Sequence, residues 1–392
     1  MKKIISLILV ALFALSAITL TACSINDTEV SILWSDSGEV QVPDSLINSI
    51  ERAMYIENIN YKHYGANNKH ETQLEQAKAA TEAGCAALVI DPVDPLKAAE
   101  FVTVAKAKNI PVIFIGNVAE SVLDSYEKCV AIGTDYTSIV NVQGELIADY
   151  IVANYASIDR NGDGKISYVS YVSGIIANES VDHANKLLKE DESYEIEIGG
   201  GCNKEKTRTE LVFYDDKNPA KFLLSLGAGK AQSEIMEKYN DEKKNTVELI
   251  ITDNDATARE VLVALQAGGF NTDKLKTHLI PVFTVGFEED YKNYVLSGAP
   301  EKEEEKAEYL ENNKYLCDLT AVEDADIDVM IWNTKNVIDS GRLAGTVIED
   351  QDAIAAAIAA AVRNFIKGDE AFKGLDGELV DGDRYLIPYI PN

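Results

Sequence analysis

The sequence predicts an α/β protein made of two doubly wound parallel-sheet domains. Three observations carry this expectation. The 392 residues exceed what a single core usually fills. Short apolar runs of strand length alternate with helix-period segments along most of the chain. No Pro- or Ser-rich linker separates two halves, so the chain is expected to cross between domains through strand-like hinges.

The strands are expected at Val30–Trp34, Ala86–Asp91, Val112–Gly116, Ser167–Ser173, Leu249–Thr252 and Val282–Gly286, each apolar and rich in β-branched residues. Helices are expected at Pro95–Lys108, Val140–Tyr155, Ala256–Ala267 and Ala353–Ile366. Repeated βα order with fully apolar strands argues for a parallel sheet covered on both faces. No repeat of fixed short period is present.

The N-terminus speaks to location. Lys2 and Lys3 precede an apolar stretch from Ile4 to Leu20, the pattern of a secretory signal, which ends Leu20-Thr21-Ala22-Cys23. That tetrad resembles a bacterial lipobox, in which Cys23 is lipidated and becomes the first mature residue. The chain is therefore expected to be extracytoplasmic and anchored to the cell membrane through Cys23, because two or more acyl chains hold a protein where one would not. Residues 1–22 are read as the signal and 23–27 as a tether.

A net charge of -29 makes nucleic acid and anionic headgroups poor partners, since both reward a positive surface. Cys85, Cys129, Cys202 and Cys317 stand singly, without C-x-x-C pairs or a nearby His at metal spacing. They read as small apolar core residues, and spacing alone assigns no disulfide among them.

The run Asp159-Arg160-Asn161-Gly162-Asp163-Gly164-Lys165-Ile166-Ser167 has oxygen side chains at positions 1, 3 and 5 and glycine at position 6, the spacing of an EF-hand calcium loop. Position 12 holds Ser170 in place of the bidentate glutamate, so the missing oxygens must come from a residue distant in sequence. An Asx-Gly turn without a metal is the alternative reading.

Several strings together resemble the periplasmic galactose/glucose-binding proteins of ABC transporters: Leu-Val-Ile-Asp-Pro-Val-Asp-Pro from Leu88, Asn-Ile-Pro-Val-Ile-Phe from Asn109, Leu-Asp-Ser-Tyr-Glu-Lys from Leu123 and Ile-Gly-Thr-Asp from Ile132. The calcium loop, Val247–Ala256 and Leu343–Val347 continue the likeness over most of the chain. The resemblance implies a type I periplasmic binding protein fold, two α/β domains joined by a three-crossing hinge around a ligand cleft. It places the first domain at 28–134 and 350–385 and the second at 135–349 and 386–392. It also implies a structural calcium ion held by Asp159, Asn161, Asp163, the Lys165 carbonyl, Ser167 and the remote Glu248. In a parallel sheet the loop and Glu248 both sit at the amino edge, away from the carboxyl edge where such sheets bind ligands.

For the ligand, the resemblance gives Asn254 at the end of the strand that Glu248 opens. Asp36, Asn117 and Glu349 follow other strands, and each also reads as ordinary loop polarity. The family's Gly-rich segment with His, Asp and Arg corresponds to Gly174–His183, where Glu179 could replace the Asp and His183 stands at the Arg. The stacking Trp falls in Leu226-Gly227-Ala228 and an Asp at Gly286, so both are lost, and Phe287, Trp34 or Trp332 is left to cover a sugar face. Residues 299–341 have no counterpart and read as a surface insertion beginning with a charged helix face.

No G-x-S-x-G, P-loop or H-E-x-x-H is present, and His63, His70, His183 and His278 are scattered, which argues against an enzyme. The resemblance thus implies a monomeric binding protein that delivers a small-molecule sugar to an ABC permease. A chemosensory or signalling receptor as partner, or a non-hexose solute, remains the alternative.

Overall fold

Apolar runs bounded by turn residues form a set of parallel strands in each of two units. The computed structural model describes residues 29–35, 44–171, 176–199, 204–214, 247–252, 254, 257–258, 261–262, 264–265, 270–271, 279–286, 343–375, 380–381 and 383–391. The expected signal, tether and insertion, with Cys23, Asp36, Cys202 and Cys317, lie outside these residues. Two compact units emerge: the first comprises the described residues up to Gly133 together with Asp352–Leu386, and the second comprises Thr134–Gln351 together with Ile387 onward.

In the first unit, β1 (Val30–Trp34), β2 (Tyr61–Gly65), β3 (Leu88–Ile90), β4 (Val112–Ile115) and β5 (Cys129–Asp135), whose last two residues belong to the second unit, lie in the order β2-β1-β3-β4-β5. All four pairings are parallel, with Ile32 opposite Val89 and Ile113 opposite Val130. Every side chain of β1 and β3 is buried, as strands covered on both faces require. Helices α1 (Asp44–Ile56), α2 (His70–Ala83), α3 (Ala98–Lys106) and α4 (Glu120–Leu123) connect them. Gly84 ends α2 in the left-handed conformation at φ 80, where its N–H returns to the last-turn carbonyls. The expected helix from Pro95 begins instead as a 3-10 turn over Pro95–Lys97, because the Asp94 carboxylate accepts the Leu96 N–H and Pro95 presets the first turn. Phe101 and Phe114, fully buried and edge to face at 6.5 Å, anchor this core, and each contributes about 1.5–3 kcal/mol of apolar burial.

The late segment completes this unit. Helix α7 (Gln351–Lys367) buries an alanine-rich face, and its Asp352 carboxylate accepts from the Ser49 hydroxyl at 2.6 Å and pairs with Arg52 of α1. Arg363 of α7 reaches Glu57 at 2.7 Å.

The second unit repeats the same topology. Strands β6 (Ile166–Tyr171), β9 (Leu211–Phe213), β10 (Leu249–Thr252), β11 (Val282–Val285) and β12 (Gly345–Glu349) lie in the order β9-β6-β10-β11-β12, all parallel. The end of β14 (Arg384–Pro391) joins β12 antiparallel, with Tyr389 opposite Glu349. Helices α5 (Ser138–Ile158) and α6 (Ile176–Glu190) pack so closely that a Cβ on Gly144 would stand 2.7 Å from the His183 ring. A small antiparallel pair, β7 (Ile196–Ile198) and β8 (Glu205–Thr207), stands apart from the sheet. The short β13 (Val380–Asp381) pairs with β14.

Candidate functional site

In both sheets the strand order reverses direction beside the first strand, at β1/β3 and at β6/β10. Open α/β sheets bind ligands outside the carboxyl ends of the strands at such a switch point. In the first unit this edge is braced from beneath. Fully buried Gln73 of α2 donates to the Asp91 carbonyl at 2.7 Å and accepts the Val93 N–H at 3.0 Å. The Asp91 carboxylate in turn receives the Ser35 N–H and hydroxyl, so the ends of β1 and β3 are tied together. Asp91 closes a strand expected from the sequence, whereas Gln73 shows itself there only as a polar residue in register with the buried alanines of α2.

Asn117 is exposed just beyond β4, after Gly116 at φ 85. Trp34 offers no free face: it is 4% exposed, its Nε1 donates to His63 Nδ1 at 2.8 Å, and the two rings stack at 5.9 Å. Burial lowers the His63 pKa against the raising effect of Glu51, whose carboxylate lies 3.1 Å from Nε2.

At the carboxyl edge of the second unit, Asn254 follows β10, and its Oδ1 accepts the Thr257 N–H at 2.8 Å, capping the helical turn that follows. Glu179 is exposed in the first turn of α6, while His183 packs over Gly144 with Glu145 3.9 Å away. Gly286 ends β11 at φ 112, a conformation that strains any residue with a side chain, in keeping with the absence of an acid there. Glu349 ends β12, with Oε1 accepting the hydroxyls of Thr134 and Tyr389, each at 3.3 Å. Phe287, Trp332 and Leu226–Ala228 lie outside the described residues.

The amino edge of the same unit carries the calcium-type loop between α5 and β6. Its polar side chains fold it into consecutive Asx turns: Asp159 accepts the Gly162 and Gly164 N–H groups, Asn161 that of Asp163, and Asp163 that of Lys165. Gly162 and Gly164 have φ 72 and 83, which the turns demand. Ser170 lies within β6, buried and paired with Ile251, so it cannot close the loop. Glu248 reaches it instead. This carboxylate is fully buried, with Oε1 taking the N–H groups of Arg160 at 2.7 Å and Asn161 at 3.2 Å, and Oε2 taking the Ser167 N–H at 3.0 Å and hydroxyl at 3.2 Å.

Further ties unite the loop with its surroundings. The Arg160 guanidinium donates to the carbonyls of Val247 at 2.5 Å and Leu279 at 3.2 Å, and Thr209 donates to the Gly164 carbonyl at 3.0 Å. Lys165 and Lys189 both grip Glu210 and hold its carboxyl down at about 2. The Tyr155 phenol donates to Asp159 at 2.9 Å, and burial, that bond and the nearby carboxylates push it up to about 12. The donors are oxygens throughout, suited to a hard cation such as calcium. In the present geometry they face backbone N–H groups, and among the described residues no three His, Cys, Asp or Glu side chains converge on one metal position.

Cys85 and Cys129 are free thiols, half-buried and buried, and burial pushes them up to about 11 and about 12. Among the described residues, no helix is long and apolar enough to cross a membrane.

The family profile of the periplasmic binding protein domain matches residues 44–302. The D-galactose/methyl-galactoside binding periplasmic protein MglB of Haemophilus influenzae is 26% identical over 325 residues, covering 82% of this chain and 76% of its own. A solved structure described as an ABC transporter, LacI family transcriptional regulator from Brachyspira murdochii aligns with a TM-score of 0.50 at 12% identity, covering 94% of this chain and 95% of the other. The XylFII-LytSN complex aligns with a TM-score of 0.52, also at 12% identity, covering 93% and 97%. With the repeated 2-1-3-4-5 sheets, these likenesses establish a type I periplasmic binding protein fold.

Proposed function

The chain belongs to the periplasmic binding protein family, and from that premise we propose that it is the solute-binding lipoprotein of an ABC importer, taking a galactose- or glucose-like monosaccharide. The family works outside the cytoplasm as binders of solutes and not as enzymes. The observation that carries the finer reading is the 26% identity with a D-galactose-binding relative across 82% of the chain. The polar groups at the carboxyl edges support it, since amides and carboxylates can each hold adjacent sugar hydroxyls. Asn254 is the principal contact, with its Nδ2 as donor while Oδ1 caps the next turn. Asn117, Glu349, Glu179 and Asp36 complete the set of solute contacts. Solute binding selects the arrangement of the two units that gives it most contacts, and the permease reads that arrangement.

Calcium belongs to the proposal as a structural ion, held by Asp159, Asn161, Asp163, Ser167 and Glu248 with the Lys165 carbonyl. When bound, it supplies a divalent cross-link between the loop and β10. The oxygen side chains at calcium-loop spacing and the buried approach of Glu248 support this, and both lie at the edge opposite Asn254. Cys23 carries the lipid, and the protein acts as a monomer.

A thermal-shift panel of hexoses, pentoses, nucleosides and oligosaccharides on the calcium-loaded chain lacking residues 1–22 tests the proposal. Stabilisation by hexoses alone is expected. Stabilisation by nucleosides or oligosaccharides alone would replace the sugar assignment.

A further inference from the structure

The chain passes between its two units three times, at Gly133/Thr134, Gln351/Asp352 and Leu386/Ile387. On the second unit's side, one carboxylate touches all three passages. Glu349 closes β12 just before the second passage, Thr134 is the first residue after the first, and Tyr389 follows the third. The hydroxyls of Thr134 and Tyr389 both donate to Glu349 Oε1, each at 3.3 Å. These bonds join residues remote in sequence, and Thr134 and Tyr389 are only 6% and 8% exposed.

Tyr389 is fixed at its other end as well. Its N–H donates to Ser138 Oγ at 2.8 Å, and that hydroxyl donates to the Asp135 carbonyl at 2.7 Å, which ties the third passage to the turn that follows the first. Its ring lies 6.1 Å from that of Tyr136. The phenol stays protonated and so remains a donor, because burial and the Glu349 carboxylate both push its pKa up.

We propose that Glu349, Tyr389 and Thr134 form a latch that sets how freely the three passages flex, and through that freedom the affinity for solute. Tyr389 and Thr134 act as positioning residues. The inference rests on the reading that solute binding rearranges the two units. A passage already ordered before binding has less conformational entropy to lose on binding, so an intact latch tightens the complex. Because Glu349 is also among the proposed solute contacts, the latch is read from exchange in the solute-free chain, which loss of a solute contact leaves unchanged.

The test is hydrogen–deuterium exchange on the solute-free chain, comparing wild type with Tyr389→Phe and Thr134→Val. Each substitution removes one hydroxyl and keeps the side-chain volume. Exchange at residues 133–138, 349–352 and 386–391 is expected to rise about five- to tenfold, with α2, β3 and β10 unchanged. On D-galactose or D-glucose, whichever binds wild type, Tyr389→Phe is expected to weaken affinity severalfold. Unchanged local exchange in both variants overturns the latch, and so does a uniform rise across the chain, which marks plain destabilisation. If Tyr389→Phe fails to fold, Thr134→Val decides on the same readout. Because the exchange measurement needs no solute, a chain that binds no sugar yet shows local loosening refutes the transport reading and leaves the latch standing.

Discussion

Replacing Glu248 with glutamine probes the amino edge of the second unit, where four donors converge on one fully buried carboxylate. Glutamine keeps the volume and one accepting oxygen, so one pair of donors stays satisfied. Its NH2 group then faces the other pair, whether the N–H groups of Arg160 and Asn161 or the N–H and hydroxyl of Ser167. Losing two charge-assisted bonds and opposing donor to donor costs about 3 kcal/mol, within the range for a buried charged partner removed alone. For a unit of this size that lowers Tm by roughly 6–12 °C. Differential scanning calorimetry with and without calcium reads both consequences: wild type gains stability from the ion by mass action, and Glu248→Gln loses that gain. A variant that melts within about 2 °C of wild type and still responds to calcium would refute the reasoning.

Glu210 provides a pH-dependent test. Its pKa is depressed from 4.5 to about 2 by Lys165 and Lys189, so its contribution is complete above pH 4.5 and fades as pH falls toward 2. The melting temperatures of wild type and Glu210→Gln should therefore differ at neutral pH and converge in that acidic window. His63 adds acid sensitivity of the same direction through a different cause, burial. Its lowered pKa means that the folded state resists its protonation, so stability is full above the ordinary value of 6.5 and falls as pH drops below it. His63→Phe should remove that part of the acid sensitivity, as urea denaturation at pH 7 and pH 5 would reveal. Asn254→Asp keeps the capping oxygen and loses the amide donor, whereas Asn254→Ala loses both. Both should abolish sugar binding in calorimetric titration, but only the alanine variant should also lose about 1 kcal/mol of stability.

Much of the fold is legible in the sequence where burial is uniform. β1 and β10 occupy the expected residues, because a strand covered on both faces must be apolar throughout. β2 escapes such a reading: Tyr61–Gly65 is half-exposed with a mixed polar and aromatic pattern, and among the described residues it pairs only with β1. β7 and β8 escape it too, being three residues each and held by surface ion pairs such as Lys206 with Glu195 at 2.6 Å. In the site, spacing points to the loop from Asp159, and the resemblance points to Glu248. What neither supplies is which atoms are already engaged. The Trp34 indole is committed to His63, the Asn254 oxygen to a helical turn and one Glu349 oxygen to two hydroxyls. Such commitments arise between residues far apart in the chain and become visible only when the strands are placed side by side.

Calorimetric titration of the mature chain with D-galactose and D-glucose tests the central claim most directly. One of the two hexoses should bind at a single site, saturably, in the micromolar range or tighter, at about -8 kcal/mol or below. Heats of dilution alone for both sugars, from a folded protein, would contradict it.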